Sequence, residues 1–233
     1  VFSQKDASDI AEKARIYALN GKAKKAYKFY YKAALLQKNN PDYYVEAARN
    51  YSSFSELSIE KNKKHFNSML NEAFHIKPWY NKAILVRVDK YTSFGKYKLA
   101  LEDLDSLLKR ENKNEDAYRK KIEIYMKKSE YEKADVIYNQ SIKLFDATNG
   151  LLGIIGEYRY RCYQENLFEE CKNAALLFRK NKEDTSNDCY LAYSYYNLNN
   201  PDSACYYFKN CDIQKMSTLK MKDELKKVCE KKK

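Results

Sequence analysis

Residues 88–104, VDKYTSFGKYKLALEDL, and residues 122–138, IEIYMKKSEYEKADVIY, are one pattern written twice, and 122 − 88 gives an offset of 34. Within residues 81–146, Tyr91 returns as Tyr125, Phe94-Gly95 as Lys128-Ser129, Tyr97 as Tyr131, Ala100 as Ala134 and Leu104 as Tyr138. A period of about 34 residues is the length of a helix-turn-helix unit that cannot bury its apolar face alone and must stack on copies of itself. Such a unit needs one small side chain where its two antiparallel helices cross. Ala100 and Ala134 supply it, and a leucine there would overpack the crossing at a cost of about 1 to 3 kcal/mol. The tyrosines at 91, 97, 125 and 131 flank the turns at Gly95 and Ser129, where a phenol buries its ring and keeps its hydroxyl near water.

The pattern extends along the chain. Its small position reads Ala26, Phe66, Ala100, Ala134, Cys171 and Ala204, and its first-helix aromatic reads Tyr17, Tyr51, Tyr91, Tyr125, Tyr163 and Tyr195. This resembles the tetratricopeptide repeat (TPR) family, in which a tyrosine near the end of helix A and a turn glycine precede an alanine and an aromatic in helix B. The resemblance implies an all-α fold, a right-handed superhelical solenoid of about six TPR-like helical hairpins with a C-terminal capping helix. The expected repeats are residues 7–40, 41–78, 81–114, 115–148, 149–184 and 185–213, with the capping helix over 216–230, in a single array spanning 1–233. Phe66 departs from the family pattern, and the Trp and glycine of a strong repeat are mostly missing.

Composition agrees with an all-helical chain. Five Gly and three Pro among 233 residues leave few helix breakers, and 44% hydrophobic residues suffice for a continuous core. The net charge of +12 invites a nucleic-acid reading. The basic residues are nevertheless spread among acids, as where Glu102, Asp103 and Asp105 stand beside Lys109 and Arg110, which is the texture of a solvated helix surface. The longest apolar run, Leu151 to Ile155, is broken by Gly153 and is far shorter than a bilayer span of about 20 residues. The chain begins Val1-Phe2-Ser3-Gln4, which fits either an artificial chain edge or the end left by signal-peptide removal.

Several local signals place the helices. Gly21 ends the first, Asn39-Asn40-Pro41-Asp42 is a turn whose proline pre-sets the next helix, and Lys77-Pro78 is a stop. The helix-A tyrosines 51 and 91 lie about 40 residues apart, so residues 55–62 hold an insertion. Gly150, Gly153 and Gly156 recur at every third position; each costs about 1 kcal/mol in a helix relative to alanine. Two explanations stay open: another backbone or a ligand approaches that face, or the segment is a loop before a late helix start. Asn199-Asn200-Pro201-Asp202 is the sixth turn, and Met216, Leu219, Leu225 and Val228 give the last helix one apolar face.

Six cysteines, all after residue 161, are read either as free core thiols or as disulfides in an oxidising compartment. The candidate pairs are Cys162-Cys171 across one hairpin and Cys211-Cys229 joining the sixth repeat to its cap. No C-x-x-C spacing occurs, and His65 and His75 stand ten apart, so neither a metal nor a cofactor is expected. Without a phosphate loop, a nucleophile and base in sequence or a paired-carboxylate signature, the expectation is no enzyme.

What the TPR resemblance implies is binding in a concave groove lined from helix A. Its lining positions here are Arg15 and Ala18, Arg49 and Ser52, Asp89 and Thr92, Arg119 and Glu123, Tyr160 and Tyr163, and Tyr193 and Tyr196. The groove would be charged at one end and aromatic at the other, where the tyrosines are either interface anchors or inter-repeat packing. The Lys and Asn with which some TPR domains clamp the C-terminal carboxylates of heat-shock chaperones are replaced by Ala11 and Arg15. The first reading is therefore a non-catalytic scaffold for a protein or peptide partner, an accessory or assembly factor in a bacterial envelope, periplasmic or secreted rather than cytoplasmic. The alternatives are a basic solenoid that binds RNA or an anionic surface, and a subunit buried in a larger assembly.

Overall fold

The computed structural model describes residues 4–55, 60–145, 149–181, 185–212 and 222–230. Thirteen helices and no strand occur among the described residues. The chain divides into two compact units, residues 1–112 and 113–233. The first holds α1 (Gln4–Leu19), α2 (Ala23–Leu36), α3 (Pro41–Phe54), α4 (Glu60–Ile76), α5 (Asn81–Ser93) and α6 (Tyr97–Arg110). The second holds α7 (Glu115–Lys127), α8 (Tyr131–Leu144), α9 (Asn149–Gln164), α10 (Phe168–Asn181), α11 (Thr185–Asn197), α12 (Pro201–Phe208) and α13 (Lys222–Glu230). Met216 and Leu219, expected on the capping helix, lie outside the described residues, as do residues 56–59 of the insertion before α4.

One turn recurs in both units. Helices α1, α5, α7, α9 and α11 each end on a residue with positive φ: Gly21, Gly95, Ser129, Asn166 and Asn199. At each, that residue's N–H bonds the carbonyl three back and the next N–H bonds the carbonyl five before it, as in Gly95 to Thr92 at 3.1 Å and Lys96 to Tyr91 at 2.8 Å. This pair of bonds satisfies carbonyls that the helix end would otherwise leave open, and it reverses the chain in two residues. The carbonyl that closes the wider loop belongs to Tyr17, Tyr91, Tyr125, Cys162 and Tyr195. Five residues past the positive-φ position stand Ala26, Ala100, Ala134, Cys171 and Ala204, all without solvent exposure. Turn and crossing thus share a fixed phase, because the crossing lies one helical turn and a half beyond the reversal.

The fifth hairpin corrects the sequence register by one residue. Cys162, not Tyr163, stands four before the turn at Asn166 and takes the aromatic's place, fully buried. The open turn residue carries the register, whereas counting tyrosines in a run containing Tyr158, Tyr160 and Tyr163 does not.

Three helices, two after a connection between hairpins and one inside the sixth hairpin, begin on an asparagine cap. Asn40, Asn114 and Asn200 precede α3, α7 and α12 and accept the N–H of Asp42, Ala117 and Ser203 at 3.0, 3.0 and 3.1 Å. Pro41 and Pro201 begin their helices, where a missing N–H costs nothing. In the first unit Ala26, Ala33, Ala34, Ala47, Ala48, Ala73 and Ala83 are buried and let the helices approach closely. Phe66 takes the alanine position of the second hairpin and is also buried. Beside it Tyr27, Tyr51, Phe54 and His65 pack ring to ring, with the Tyr27 hydroxyl 2.8 Å from His65 Nε2.

The glycine face of α9 is explained by packing. Gly150 leaves room for the Glu115 carboxylate, which occupies the space a Cβ would need, while a Cβ at Gly153 or Gly156 would stand 3.8 Å from Arg119 or 3.7 Å from Phe178. The approach comes from side chains of α7 and α10 onto a continuous helix, so neither a loop nor another backbone accounts for it.

Candidate functional site

On the A helices of the first unit the expected lining residues are held by their own helices. Arg15 makes two bonds to Glu12, at 2.7 and 2.8 Å, and Arg49 lies 3.5 Å from Glu46. Glutamate and arginine three apart share a helix face, so these pairs follow from local spacing. Both guanidinium groups stay about half exposed, and exposed pairs of this kind are easily exchanged for a partner's carboxylate. Asp89 is exposed on α5. Neighbouring A helices are tied by Asp42 to Lys82 at 2.6 Å and by the Lys90 amine to the Ser52 carbonyl at 3.0 Å. Lys82 and the Tyr80 hydroxyl hold the Asp42 carboxyl below its ordinary range against the opposing effect of burial.

In the second unit the charged positions form a ladder between α7 and α9. Arg119 pairs with Asp116, Glu123 with Lys127 at 2.7 Å, and Arg161 reaches both Glu157 at 2.7 Å and Glu123 at 3.7 Å. Asp116, Arg119, Lys120, Glu123 and Glu157 line a shallow cleft of about 150 Å³. Both signs alternate within it, which suits polar groups of a polypeptide better than a uniformly anionic strand.

The four tyrosines differ in exposure and in what they touch. Tyr160 is 42% exposed and its hydroxyl accepts from Gln164 at 2.8 Å. Tyr163 packs on Tyr190 and Tyr193 with centroids at 5.3 and 4.7 Å. Tyr193 is buried, and its hydroxyl donates to Asn166 at 2.8 Å, tying α11 to the turn of the preceding hairpin. The Tyr196 hydroxyl lies 3.4 Å from Glu224 of α13. Tyr160 is exposed and Tyr163 and Tyr196 are half-buried, while Tyr163 and Tyr193 pack between hairpins.

The cysteine pairing also differs from expectation. The bonds join Cys189 to Cys211 and Cys205 to Cys229, with Cα atoms 4.7 and 5.3 Å apart, while Cys162 and Cys171 are buried free thiols. Helix α12 has only 8 residues where α10 has 14, so the chain leaves it early and Cys211 returns onto Cys189 of α11. That leaves Cys205, on α12, to receive Cys229 from α13. Cys162 and Cys171 occupy the two core positions of the fifth hairpin, and burial pushes both thiols up, Cys171 to about 11, so neither is a thiolate at neutral pH. Among the described residues no His, Cys, Asp or Glu cluster has metal-binding geometry, and no helix is long and apolar enough to cross a membrane.

Solved structures place this architecture. PilW, a widely conserved type IV pilus biogenesis factor, superposes with a TM-score of 0.64 at 12% identity, covering 95% of this chain and 97% of that one. Pseudomonas aeruginosa PilF gives 0.63 at 12% identity over 99% of both chains. A tetratricopeptide repeat protein from Parabacteroides merdae gives 0.61 at 15% identity, covering 97% of this chain and 83% of that one. No family model matches the sequence, and no curated protein matches it either. The chain has a TPR-like fold, an all-α helical repeat solenoid. At these identities the likeness defines the fold alone.

Proposed function

We propose that this chain is a non-catalytic scaffold that binds a protein partner across the exposed A-helix faces of its hairpins, as an accessory or assembly factor in a bacterial envelope. The observation that carries the reading is the pair Arg15 and Arg49, two half-exposed guanidinium groups 34 residues apart in sequence on equivalent faces of α1 and α3, each paired at the surface with a glutamate of its own helix. A partner's carboxylates can take the place of Glu12 and Glu46 without unfolding anything. Two disulfides support an oxidising compartment, since such bonds are rare where glutathione keeps thiols reduced. The solved pilus factor of similar fold is consistent with an envelope setting and adds no partner.

The test is recovery of partners from the native source with the double variant Arg15→Glu, Arg49→Glu. Loss of a partner that the unaltered chain retains supports the reading; equal recovery removes the A-helix face from it. Binding that disappears steeply with salt and is restored by RNA alone would favour the basic-surface alternative instead.

A further inference from the structure

The chain's single tryptophan stands where a tryptophan is costly. Trp79 has φ of 61°, a left-handed conformation that penalises side chains bearing a Cβ by about 1 to 2 kcal/mol, yet 51% of it faces solvent. Arg110, at the end of α6, stacks its guanidinium 3.8 Å from the ring. Backbone strain that serves no burial is characteristic of positions where a ligand is clamped.

Trp79 marks one end of a groove. Its floor is the face of α5 that carries Ile84, Arg87, Tyr91 and Phe94, and its walls are α4 and α6. At 100° per residue this face is opposite to the one bearing Asp89, and Lys90, at its edge, also donates to the Ser52 carbonyl of α3. Two clefts, of about 460 and 280 Å³, meet at Arg87. Arg87 holds both walls, with two bonds of 2.8 Å to Asp103 on α6 and its guanidinium 4.9 Å from the Phe74 ring on α4. The larger cleft is bounded by Phe66, the bulky residue that replaces alanine in the second hairpin. At the end away from Trp79, Phe94 and Leu99 are 46% and 42% exposed.

Lys63, Arg87, Lys90 and Lys96 line the larger cleft; Asp103 balances Arg87 and Glu60 lies 3.5 Å from Lys63, which leaves Lys90 and Lys96 as an excess of positive charge. Apolar surface at both ends, with the cations gathered toward the Phe94 end, is the complement of an acidic peptide with an apolar anchor at each end. Helix α5 has 13 residues and spans about 20 Å, which an extended chain covers in about six or seven residues. We propose that this groove docks an extended acidic segment of a partner protein, one apolar side chain seated beside Trp79, the other against Phe94 and Leu99, and its carboxylates over Lys63, Lys90 and Lys96 at that end. The proposal needs a protein partner but not the A-helix face.

The probe is a seven-residue synthetic peptide with leucine and phenylalanine at its ends and acidic residues between, titrated into the full chain. Because Trp79 is the only tryptophan and borders this groove, its emission reports on this end of the groove. A saturable blue shift is expected. It should weaken by about tenfold or more in Lys63→Glu, Lys96→Glu and separately in Leu99→Asp, since removing rim charges or an anchor costs at least that much. All three side chains are exposed, and unchanged helical circular dichroism and melting verify that the variants fold. No saturable shift up to about 1 mM, a limit corresponding to about 4 kcal/mol of binding, would overturn the proposal. So would equal affinity in the charge-reversed variant, or equal binding of a peptide with lysines in place of the acids. An RNA oligomer that shifts Trp79 more strongly than the peptide would assign the groove to nucleic acid and overturn it likewise. Arg15→Glu, Arg49→Glu should leave the Trp79 response unchanged, so the two readings fail separately.

Discussion

Substituting Ser129 by glycine should stabilise the protein, although glycine between two helices ordinarily weakens a helical chain. Ser129 sits at φ of 56° in the turn between α7 and α8, is exposed, and contributes through its backbone N–H, 3.0 Å from the Met126 carbonyl. A left-handed residue with a Cβ costs about 1 to 2 kcal/mol, which glycine removes. Glycine's greater freedom in the unfolded chain returns about 0.5 to 1 kcal/mol of that. The net gain is about 0.5 to 1 kcal/mol, and for a chain of this length it raises the melting temperature by about 1 to 4 °C. Thermal and urea melts followed by circular dichroism measure it, with hydrogen exchange of α7 and α8 amides to place the gain locally. Were Ser129 in a helical conformation, glycine would instead lower stability by about 1 kcal/mol. A lower melting temperature for Ser129→Gly therefore refutes the turn assignment by sign, with no dependence on the size of the effect.

Other consequences follow from the same geometry. Ala134→Leu, at a fully buried crossing, should destabilise by about 1 to 3 kcal/mol in urea melts, and an effect within error would mean the helices do not cross there. Burial holds the His65 imidazole below its ordinary value of 6.5. The unfolded chain therefore takes up the proton first, so this contribution is intact above about pH 6.5 and is lost on going below it. The melting temperature should fall between pH 7 and 5.5 by more in the unaltered chain than in His65→Gln; parallel profiles would contradict the assignment. Alkylation in denaturant without reductant should label two thiols, Cys162 and Cys171, and six after reduction. Cys229→Ser opens a bridge between residues 24 apart and should cost about 3 kcal/mol by the loop-closure argument, read as early release of α13 in hydrogen exchange.

The hairpins were legible because their requirements are local. A small residue at a crossing and a left-handed turn five residues before it are steric demands that Ala100 with Gly95, and Ala134 with Ser129, display openly. The fifth hairpin was misread at Tyr163 because cysteine fills both of its core positions, and only Asn166, a residue tolerant of positive φ, marks the turn. Disulfide partners were not legible, since they depend on how far α12 runs before the chain turns back, and its end at Phe208 has no sequence signal as plain as a glycine. The pairings of Arg15 with Glu12 and of Arg49 with Glu46 were legible, because residues three apart share a helix face. The α5 groove was not, because it arises from Phe66 and from side chains of three helices that only the fold brings together.

The recurring reversal at the end of the A helices underlies every assignment of face and slot, and residue-resolved hydrogen exchange examines it directly. The amides of Lys22, Lys96, Glu130, Leu167 and Asn200, each bonded to the carbonyl five residues before it, should all be protected, one residue after each left-handed position. Free exchange at these five amides would contradict the repeat, and with it the separation of the charged face from the cationic groove.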